Sequence, residues 1–362
     1  MAITLNSAGL LEAIDKVNKV TGSTTLNFIF SGKEIKIISA VNEYQMELVL
    51  PQEKSFDQEM KFCIFSKPLV TALSGKKEIT LDLVGNTLNF KAGRSKGSLV
   101  TLPYEDKNLV LNDGVALSDD IKAFLFSNLD RVNFKGKNVD KNILLQVQIK
   151  DSKIKMLSME SSYSGLVVEP LDANPIDADF NILLRYAETI INTFSRDDTL
   201  KLVSTDNSVE ITSATCKIVL PRIAECESVT IPEMENVIEN NIRVDDRKGS
   251  ILFNNPTEFL KDIDELKSFV DDESIRAKIR FKKVADNDNV LISVNTANGK
   301  LDKILTDIKT FGEFEAQFNI ENFRACLEKN TKDKTCVTFY SNCATIRSSN
   351  SKESVYIVLK TE

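Results

Sequence analysis

The chain has 362 residues, of which 42% are hydrophobic and 27% are charged, and its formal net charge is −7. This composition excludes a disordered chain and a surface coated with basic residues for indiscriminate nucleic-acid binding. No apolar run approaches the roughly 18 residues that a membrane span needs, and residues 1–6 lack the features of a signal peptide, so we expect a cytoplasmic protein with no membrane partner.

The residue types also exclude several kinds of site. The chain contains no histidine and six cysteines. The cysteines show no C-x-x-C pairing, and Cys63 lies in an apolar run, which favours reduced core thiols over disulfides or zinc ligands. Without histidine, Ser-His and Cys-His nucleophile pairs are excluded. We therefore expect neither a cofactor nor a metal site.

An amphipathic helix opens each third of the chain. Leu10, Ile14 and Val17 recur at i, i+4 and i+7, which places them on one helical stripe. The same stripe recurs at Ile121, Phe124, Leu125, Leu129 and Val132, and again at Phe259, Leu260, Ile263, Leu266 and Val270. Asn255 and Pro256 are typical of an N-cap and a first helical turn, so they predict where the last of these helices begins.

A second helix and a strand hairpin follow in each third. The second-helix patterns are Leu69, Val70 and Leu73 after Ser66-Lys67-Pro68, then Leu183, Ala187, Ile190 and Phe194, then Ile320, Phe323 and Leu327. The predicted hairpins span 79–90 across Gly85-Asn86, 200–211 across Asp206-Asn207, and 337–346 across Ser341-Asn342. Gly93 to Gly97 predicts a further hairpin connection rather than a phosphate-binding loop, because no G-x-x-x-x-G-K-[ST] or G-x-G-x-x-G is present.

This order of elements predicts an α+β fold of three tandem repeats, each with two helices packed on antiparallel sheets. The pattern lapses at Asn112-Asp113-Gly114 and along residues 232–236, which predicts domains at 1–116, 117–234 and 235–362. Six helices of one type could then line a common surface while the strands form a continuous outer layer.

Three segments carry a family resemblance: residues 42–48 (NEYQMEL), 92–106 (AGRSKGSLVTLPYED) and 355–359 (VYIVL). They are similar to the T-D-L-E-M-E-M, S-G-R-S-x-F-x-L-x-T-L-P-A-x-D and Y-V-V-M segments of the bacterial-type DNA polymerase III β sliding clamp, the processivity ring of replicative polymerases. Residues 159–164 lack the His and Arg of that family's T-D-G-H-R-L segment, and residues 271–273 are more acidic than a DNA-facing element should be. The chain therefore resembles a divergent member, such as a phage-encoded one.

The resemblance implies a DNA sliding clamp without enzymatic activity. Two copies would join head to tail into a ring around double-stranded DNA, bound without sequence preference, and would tether the DNA polymerase. Basic residues on the outward faces of the helices would line the hole and offer loose phosphate contacts. The DNA-facing candidates are Lys16, Lys19, Lys67, Lys122, Arg131, Lys135, Lys137, Lys141, Arg185, Arg196, Arg324 and Lys329.

The resemblance also implies two protein-binding sites. The polymerase and the clamp loader would bind through short linear peptides in an apolar pocket, bordered here by Met159, Ser162, Tyr163, Ser164, Ala224, Val229, Ile357, Leu359 and Thr361. Tyr163, in place of the family's Arg, would make this pocket more aromatic. The seam of the homodimer would involve Lys107, Leu109, Leu111, Phe269 and Val270.

Two alternative functions stay open at this point. A monomeric replication adaptor could keep the fold without closing a ring, and a carboxylate-based, magnesium-dependent nuclease could use acidic runs such as Asp245-Asp246. Acidic runs are more often solvated surface, and Asp286 to Asn289 do not continue as a calcium-binding loop. We therefore expect no catalytic residues.

Overall fold

The computed structural model describes residues 2–106, 109, 111–132, 143–160, 163–171, 176–195, 198–223, 230–241, 246–270, 277–284, 288–296, 299–331, 334–348 and 354–361. The chain divides into two compact units, which we describe separately. Unit 1 comprises residues 1–122 and 188–224, and unit 2 comprises residues 123–187 and 225–362. The three domain ranges inferred from the sequence stay a prediction.

The described helices begin and end at well-defined residues. They are α1 (Ser7–Thr21), α2 (Ser66–Leu73), α3 (Asp119–Val132), α4 (Tyr186–Thr193), α5 (Ile231–Asn236), α6 (Pro256–Ser268) and α7 (Ile320–Glu328), and a π-helical turn (Val237–Asn241) continues α5. Within the described ranges, no helix combines the length and the apolar character needed to cross a bilayer.

The described strands are all paired antiparallel. They are β1 (Ala2–Asn6), β2 (Thr25–Val41), β3 (Tyr44–Phe65), β4 (Glu78–Val84), β5 (Thr87–Ala92), β6 (Ser95–Val100), β7 (Val115–Ala116), β8 (Leu144–Lys150), β9 (Lys153–Glu160), β10 (Tyr163–Pro170), β11 (Ala178–Leu183), β12 (Lys201–Ser204), β13 (Ser208–Thr212), β14 (Cys216–Pro221), β15 (Gly249–Phe253), β16 (Lys278–Lys283), β17 (Val290–Thr296), β18 (Gly299–Leu305), β19 (Ile308–Gly312), β20 (Glu315–Asn319), β21 (Thr335–Phe339), β22 (Cys343–Ser348) and β23 (Ser354–Leu359).

Helix α1 shows why the predicted stripes fold as they do. The Asn6 side chain accepts hydrogen bonds from two backbone N–H groups of the first turn, and Gly22 ends the helix in the left-handed region at φ 62°. Between these caps, Leu10, Ile14 and Val17 are all buried, which confirms the predicted core face.

The other predicted helices are confirmed with changes at their ends. Asn255 caps α6 by accepting a hydrogen bond from the N–H of Glu258, as predicted, whereas Val270 lies beyond the end of that helix. Helix α4 is shorter than its apolar pattern, because Leu183 ends β11 and Phe194 follows the last helical residue. Apolar spacing alone did not separate a buried strand end from the adjoining helix.

Unit 1 contains two antiparallel sheets. The smaller has the strand order β1-β4-β5-β6 and the larger has the order β2-β3-β14-β13-β12-β7. In the larger sheet, Leu48 on β3 lies opposite Cys216 on β14, and Gln45 lies opposite Val219. Backbone hydrogen bonds therefore join a strand of the first predicted domain to a strand of the second.

Unit 2 also contains two antiparallel sheets. One has nine strands in the order β11-β8-β9-β10-β23-β22-β21-β15-β19, and the other has four in the order β18-β17-β16-β20. In the nine-stranded sheet, Tyr163 on β10 lies opposite Val358 on β23, and Val167 lies opposite Ser354. This pairing joins the second predicted domain to the third.

The predicted hairpins are confirmed. Strands β4 and β5 close with Val84 opposite Thr87, and β12 and β13 close with Ser204 opposite Val209. Strands β21 and β22 pair across the predicted turn at residues 341–342. Gly93 has φ 60° in the tight turn between β5 and β6, which is the hairpin connection expected there.

Residues 231–236, where the repeated pattern lapses in the sequence, form the short helix α5. Thr230 and Glu233 make a capping box at its start, in which each side chain binds the other's backbone N–H. The sequence carries this signal as a Thr three residues before a Glu. Pro232 lies in the first turn of the helix, where proline is well tolerated.

Phenylalanine rings and thiols fill the interiors of both units. The centroids of Phe28 and Phe62 are 5.3 Å apart in unit 1, and those of Phe253 and Phe259 are 4.0 Å apart in unit 2. The five described cysteines form no disulfide with one another: Cys63, Cys216 and Cys326 are buried, and Cys336 and Cys343 are partly buried. Cys226 lies outside the described residues.

Strands β15 and β19 approach each other closely at a pair of glycines. Gly249 lies directly opposite Gly312. A Cβ on Gly249 would lie only 2.5 Å from the ring of Phe314, and a Cβ on Gly312 would overlap the carbonyl oxygen of Lys248. Gly312 also has φ 71°, so both its backbone conformation and its surroundings require glycine.

We expect Gly312→Ala to lower the free energy of unfolding by about 1–3 kcal/mol, because it adds backbone strain and a steric clash. Urea unfolding followed by circular dichroism measures this change. The matched control is Gly9→Ala in α1, where no atom lies within 4 Å of the new Cβ and φ is ordinary. That variant should be neutral or more stable by up to about 1 kcal/mol. Equal changes in the free energy of unfolding for the two variants would contradict the requirement for glycine at position 312.

Candidate functional site

Helix α1 carries two predicted DNA-facing lysines on the side opposite its buried stripe. Lys16 Nζ lies 2.8 Å from a carboxylate oxygen of Glu12, and Lys19 Nζ lies 2.8 Å from one of Asp15. The hydrogen bond that Lys19 donates to the carboxylate of Asp15 is the main reason that the pKa of Lys19 is raised. Both cations are thus paired within their own helix, one turn away.

A groove of about 500 Å³ lies between α1 and α2 in unit 1. Glu12 and Asp15 line it from α1, and Lys67, which is exposed, lines it from α2. We call Glu12, Asp15, Lys16, Lys19 and Lys67 the α1–α2 face. It presents cations and carboxylates side by side on exposed helix surface.

Two of the three described candidates on and beside α3 and α4, Lys122 and Arg131, are partly buried, whereas the third is exposed. The Lys122 side chain is only 13% exposed, and its ammonium binds the carboxylate of Asp119 at 2.8 Å and the carbonyl oxygen of Asp198 at 3.3 Å. Arg131 donates to the side-chain oxygen of Asn128 at 3.0 Å. Arg185 is exposed; it lies over the ring of Tyr186 and donates to its hydroxyl at 3.0 Å.

In unit 2, ion pairs connect α6 with α7. Lys267 on α6 lies 2.9 Å from Glu321 on α7, and Arg324 on α7 pairs with Asp264 on α6 and, at 3.2 Å, with Glu328. The hydrogen bond to Asp264 is the main reason that the pKa of Arg324 is raised. We call Asp264, Lys267, Glu321, Arg324 and Glu328 the α6–α7 face.

Five DNA-facing candidates remain, and only one of them, Lys329, lies within the described residues. Lys329 follows α7 and is partly buried. Four candidates, Lys135, Lys137, Lys141 and Arg196, lie outside the described residues.

Several predicted pocket residues meet on one face of the nine-stranded sheet. Directly opposed residues of antiparallel strands place their side chains on the same face. Met159 on β9 lies opposite Ser164 on β10, which lies opposite Ile357 on β23. The row continues across β22, β21, β15 and β19 through Thr345, Thr338, Ser250 and Phe311.

Helix α5 covers part of this face. Ile231 and Met234 pack with Ile357 in an apolar cluster, against which Met159 and Cys343 are partly buried. Ile357 is therefore a core residue rather than an open pocket wall. The helix that covers it, α5, was not predicted from the sequence.

Leu359 is the most accessible apolar side chain among the described residues of the predicted pocket. It is 45% exposed and lies opposite Cys343. Thr361, two residues on, is partly buried, and its backbone N–H donates to the carbonyl oxygen of Gln317 at 3.0 Å. Ser162, Ala224 and Val229 lie outside the described residues.

The expectation that Tyr163 makes the pocket more aromatic is not supported. Tyr163 belongs to the main core cluster of unit 2 and is buried, directly opposite Val358. Successive strand residues point to opposite faces, so Tyr163 and Ser164 cannot contribute to the same surface.

A polar cluster that the sequence did not reveal lies next to this row. Arg247 donates to the hydroxyl of Ser250 at 2.7 Å. Burial raises the pKa of Tyr340, while a hydrogen bond with Thr345 and the guanidinium groups of Arg347 and Arg247 oppose this shift. The alternation of side chains along residues 335–348 could have predicted that Thr338 and Thr345 lie on one face. It could not have predicted the contacts of Arg247, which comes from the loop before β15.

The described seam candidates lie in both units and are partly to moderately exposed. In unit 2, Phe269 directly follows α6 and is 38% exposed, and Val270 packs against the core. In unit 1, Leu109 and Leu111 are partly exposed outside regular secondary structure. Lys107 lies outside the described residues.

Each of the four sheets among the described residues ends in two outer strands. Strand β6 is an edge of the small sheet of unit 1, and β18 is an edge of the four-stranded sheet of unit 2. Each carries an exposed apolar residue, Val100 and Ile304. Over the described ranges, no three His, Cys, Asp or Glu side chains are arranged to hold a metal ion.

No protein-family model and no curated protein sequence matches this chain. The fold, in contrast, matches solved structures over the full length. The DNA polymerase III subunit β sliding clamp of Pseudomonas aeruginosa bound to griselimycin is 14% identical, with a TM-score of 0.81 over 100% of this chain and 99% of that chain. The β subunit from DNA polymerase of Streptococcus pyogenes is 9% identical, with a TM-score of 0.80 over 100% of both chains.

The DNA polymerase III β subunit of Thermotoga maritima is 12% identical, with a TM-score of 0.80 over 100% of this chain and 99% of that chain. The chain therefore has the sliding-clamp fold. The fold predicted from the family resemblance is confirmed.

Cys343 offers a chemical probe of the candidate pocket. Burial raises the pKa of its thiol to about 11, so only about 0.1% is thiolate at pH 8. We expect its alkylation by iodoacetamide to be slow at pH 7.5 and to accelerate about tenfold per pH unit up to pH 9.5, because the thiolate is the nucleophile.

Mass spectrometry of the Cys343 peptide measures these rates. Cys326, which is fully buried in the core of unit 2, should react only after unfolding and serves as the control. A rate at Cys343 that levels off near pH 8.5, as for an ordinary thiol, would show that this edge of the sheet is open to water.

Proposed function

We propose that this protein is a DNA sliding clamp that acts in the cytoplasm. Two copies join head to tail into a closed ring, the ring encircles duplex DNA, and its outer surface tethers the replicative DNA polymerase. The observation that carries the proposal is the likeness of its fold to solved clamps along the whole chain, at 9–14% identity.

The mechanism is topological and multivalent. A ring need not grip DNA, because encirclement prevents escape while weak, salt-screened phosphate contacts leave the ring free to slide. Tethering raises the effective concentration of the polymerase at the primer end. The protein itself performs no chemistry in this scheme and needs no cofactor.

The seam is assigned to the edges of β6 and β18 in different copies. Each edge has backbone N–H and C=O groups available for a strand of a second copy. Leu109 and Leu111 in unit 1, together with Val270 and Phe269, whose ring lies beside Gly299 at the start of β18, supply the apolar contacts of this interface. A charge pair between Lys107 and the acidic residues 271–273, all of which lie outside the described residues, would make the seam weaker at high salt.

The partner peptide is assigned to the face bearing Met159, Cys343 and Leu359. An apolar side chain of a polymerase or clamp-loader peptide would pack against Leu359. The guanidinium groups of Arg247 and Arg347 near Tyr340 favour an acidic residue in the same peptide, whereas the carboxylate of Asp246, which acts on Cys343, opposes one close to that thiol. The deeper residues, Ile357 and Ser164, support the site from beneath.

We expect the protein to be a dimer that is retained on a nicked circular duplex after loading and lost when the circle is cut. Phe269→Ala should raise the dimer dissociation constant by roughly tenfold, because it removes an apolar seam contact. Light scattering across a dilution series and gel filtration of the DNA complex measure both effects.

The control is Phe311→Ala, which removes a phenylalanine that is also exposed but lies on β19, away from the proposed seam. It should leave the dimer unchanged. A wild-type protein that stays monomeric at all concentrations would support the adaptor alternative instead.

We expect Leu359→Asp to abolish stimulation of the polymerase while the dimer persists, because a carboxylate in the apolar contact excludes the peptide. Deleting residues 359–362 should do the same, but it also removes the backbone bond of Lys360 to Asn342, so the point variant is cleaner. Primer extension on a circular template measures stimulation. The control is Val284→Asp, which makes a similar change at another exposed apolar position of unit 2 and should leave stimulation unchanged. Normal stimulation by Leu359→Asp would refute the site.

A further inference from the structure

The two best-described helix faces differ in charge. The helices α1 and α2 carry two carboxylates and three lysines, a net charge of +1. The α6–α7 face, as defined above, carries three carboxylates and two cations, a net charge of −1, and two further carboxylates of α6, Asp262 and Glu265, both bind Lys303 of β18. A polyanion such as DNA would thus be attracted to the first pair and repelled by the second.

The cations of the two faces are also held differently. On the α6–α7 face, Lys267 and Arg324 each bind a carboxylate of the other helix, and Arg324 binds a second carboxylate on its own helix. The side chains of Arg324 and of Lys16 on the α1–α2 face are equally exposed, at 24%, so the two faces differ in how their cations are paired rather than in exposure. A phosphate could engage Arg324 only after displacing two carboxylates that would then face the DNA uncompensated.

On the α1–α2 face, the pairs are weaker. Lys19 and Asp15 are both largely exposed and lie four residues apart on one helix, an arrangement that contributes little to stability. A lysine there can exchange its carboxylate for a phosphate at small cost. Lys67 adds a cation on α2 without adding a carboxylate to that helix.

We propose that duplex DNA in the ring is contacted by the α1–α2 face and repelled by the α6–α7 face, so that Arg324 is not a DNA contact. This inference rests on the proposed function and decides between residues that the family resemblance treats alike. In each copy, one helix pair holds the DNA, and the acidic pair keeps the duplex from settling against it, which preserves sliding.

The test measures the affinity of the full-length protein for a short fluorescent blunt DNA duplex by anisotropy at a series of sodium chloride concentrations. Lys16→Gln with Lys19→Gln and Lys67→Gln should weaken binding and reduce the slope of log K against log salt by up to about 3, since each lost phosphate contact removes roughly 0.9. Arg324→Gln should change the slope by less than about 0.3.

A second pair of variants tests the repulsion directly. Glu321→Gln with Glu328→Gln should tighten binding roughly three- to tenfold, because it removes two charges from the acidic face and frees Lys267. The matched control is Glu53→Gln with Asp57→Asn, which makes the same change in net charge at exposed positions on β3. It should alter affinity much less.

Three results would overturn the inference. They are a loss of salt slope in Arg324→Gln comparable to that of the lysine variants, equal tightening by the two carboxylate pairs, and no binding of the duplex by the wild type at any salt. Failure of the proposed function is detected separately, because a protein that is not a clamp would also fail to be retained on the nicked circle.

Discussion

Hydrogen bonding between strands that are far apart in sequence is the interaction on which the rest of this structure depends. Strand β3 pairs with β14 in unit 1, and β10 pairs with β23 in unit 2. Each pairing satisfies backbone groups that would otherwise form an open sheet edge. Because the pairings merge strands from different thirds of the chain, the helices pack on continuous sheets, and their buried stripes are fixed by those sheets rather than by helix propensity alone.

The candidate pocket is a direct result of the second pairing. Strand β23 lies in the middle of the nine-stranded sheet, so its residues are backed by a large core on one side and by α5 on the other. Only its end, at Leu359, reaches solvent as an apolar side chain. The same sheet register brings Ser250 and Thr345 beneath Arg247 and Tyr340, so a polar patch and an apolar edge lie on one surface.

Much of the fold could be predicted because it follows from local periodicity. The stripe Leu10, Ile14 and Val17 and the hairpin turns are set by residues close in sequence. The features that could not be predicted depend on contacts with residues that are distant in sequence. Tyr163 faces the core because of its register against Val358, and Lys122 is mostly covered because Asp198 lies beside it. The ion pairs that fix Arg324 come from a helix 60 residues away.

The pairing of β10 with β23 also limits how independent the three repeats can be. A fragment that ended at residue 234 would keep β10 without the strand that covers its edge, and the complementary fragment would keep β23 with Val355 and Ile357 stripped of their neighbours. Exposed apolar strand edges are templates for aggregation. The repeats are therefore similar in sequence without being autonomous folding units, and exchanging one repeat between related chains would succeed only if its partner strand were exchanged with it.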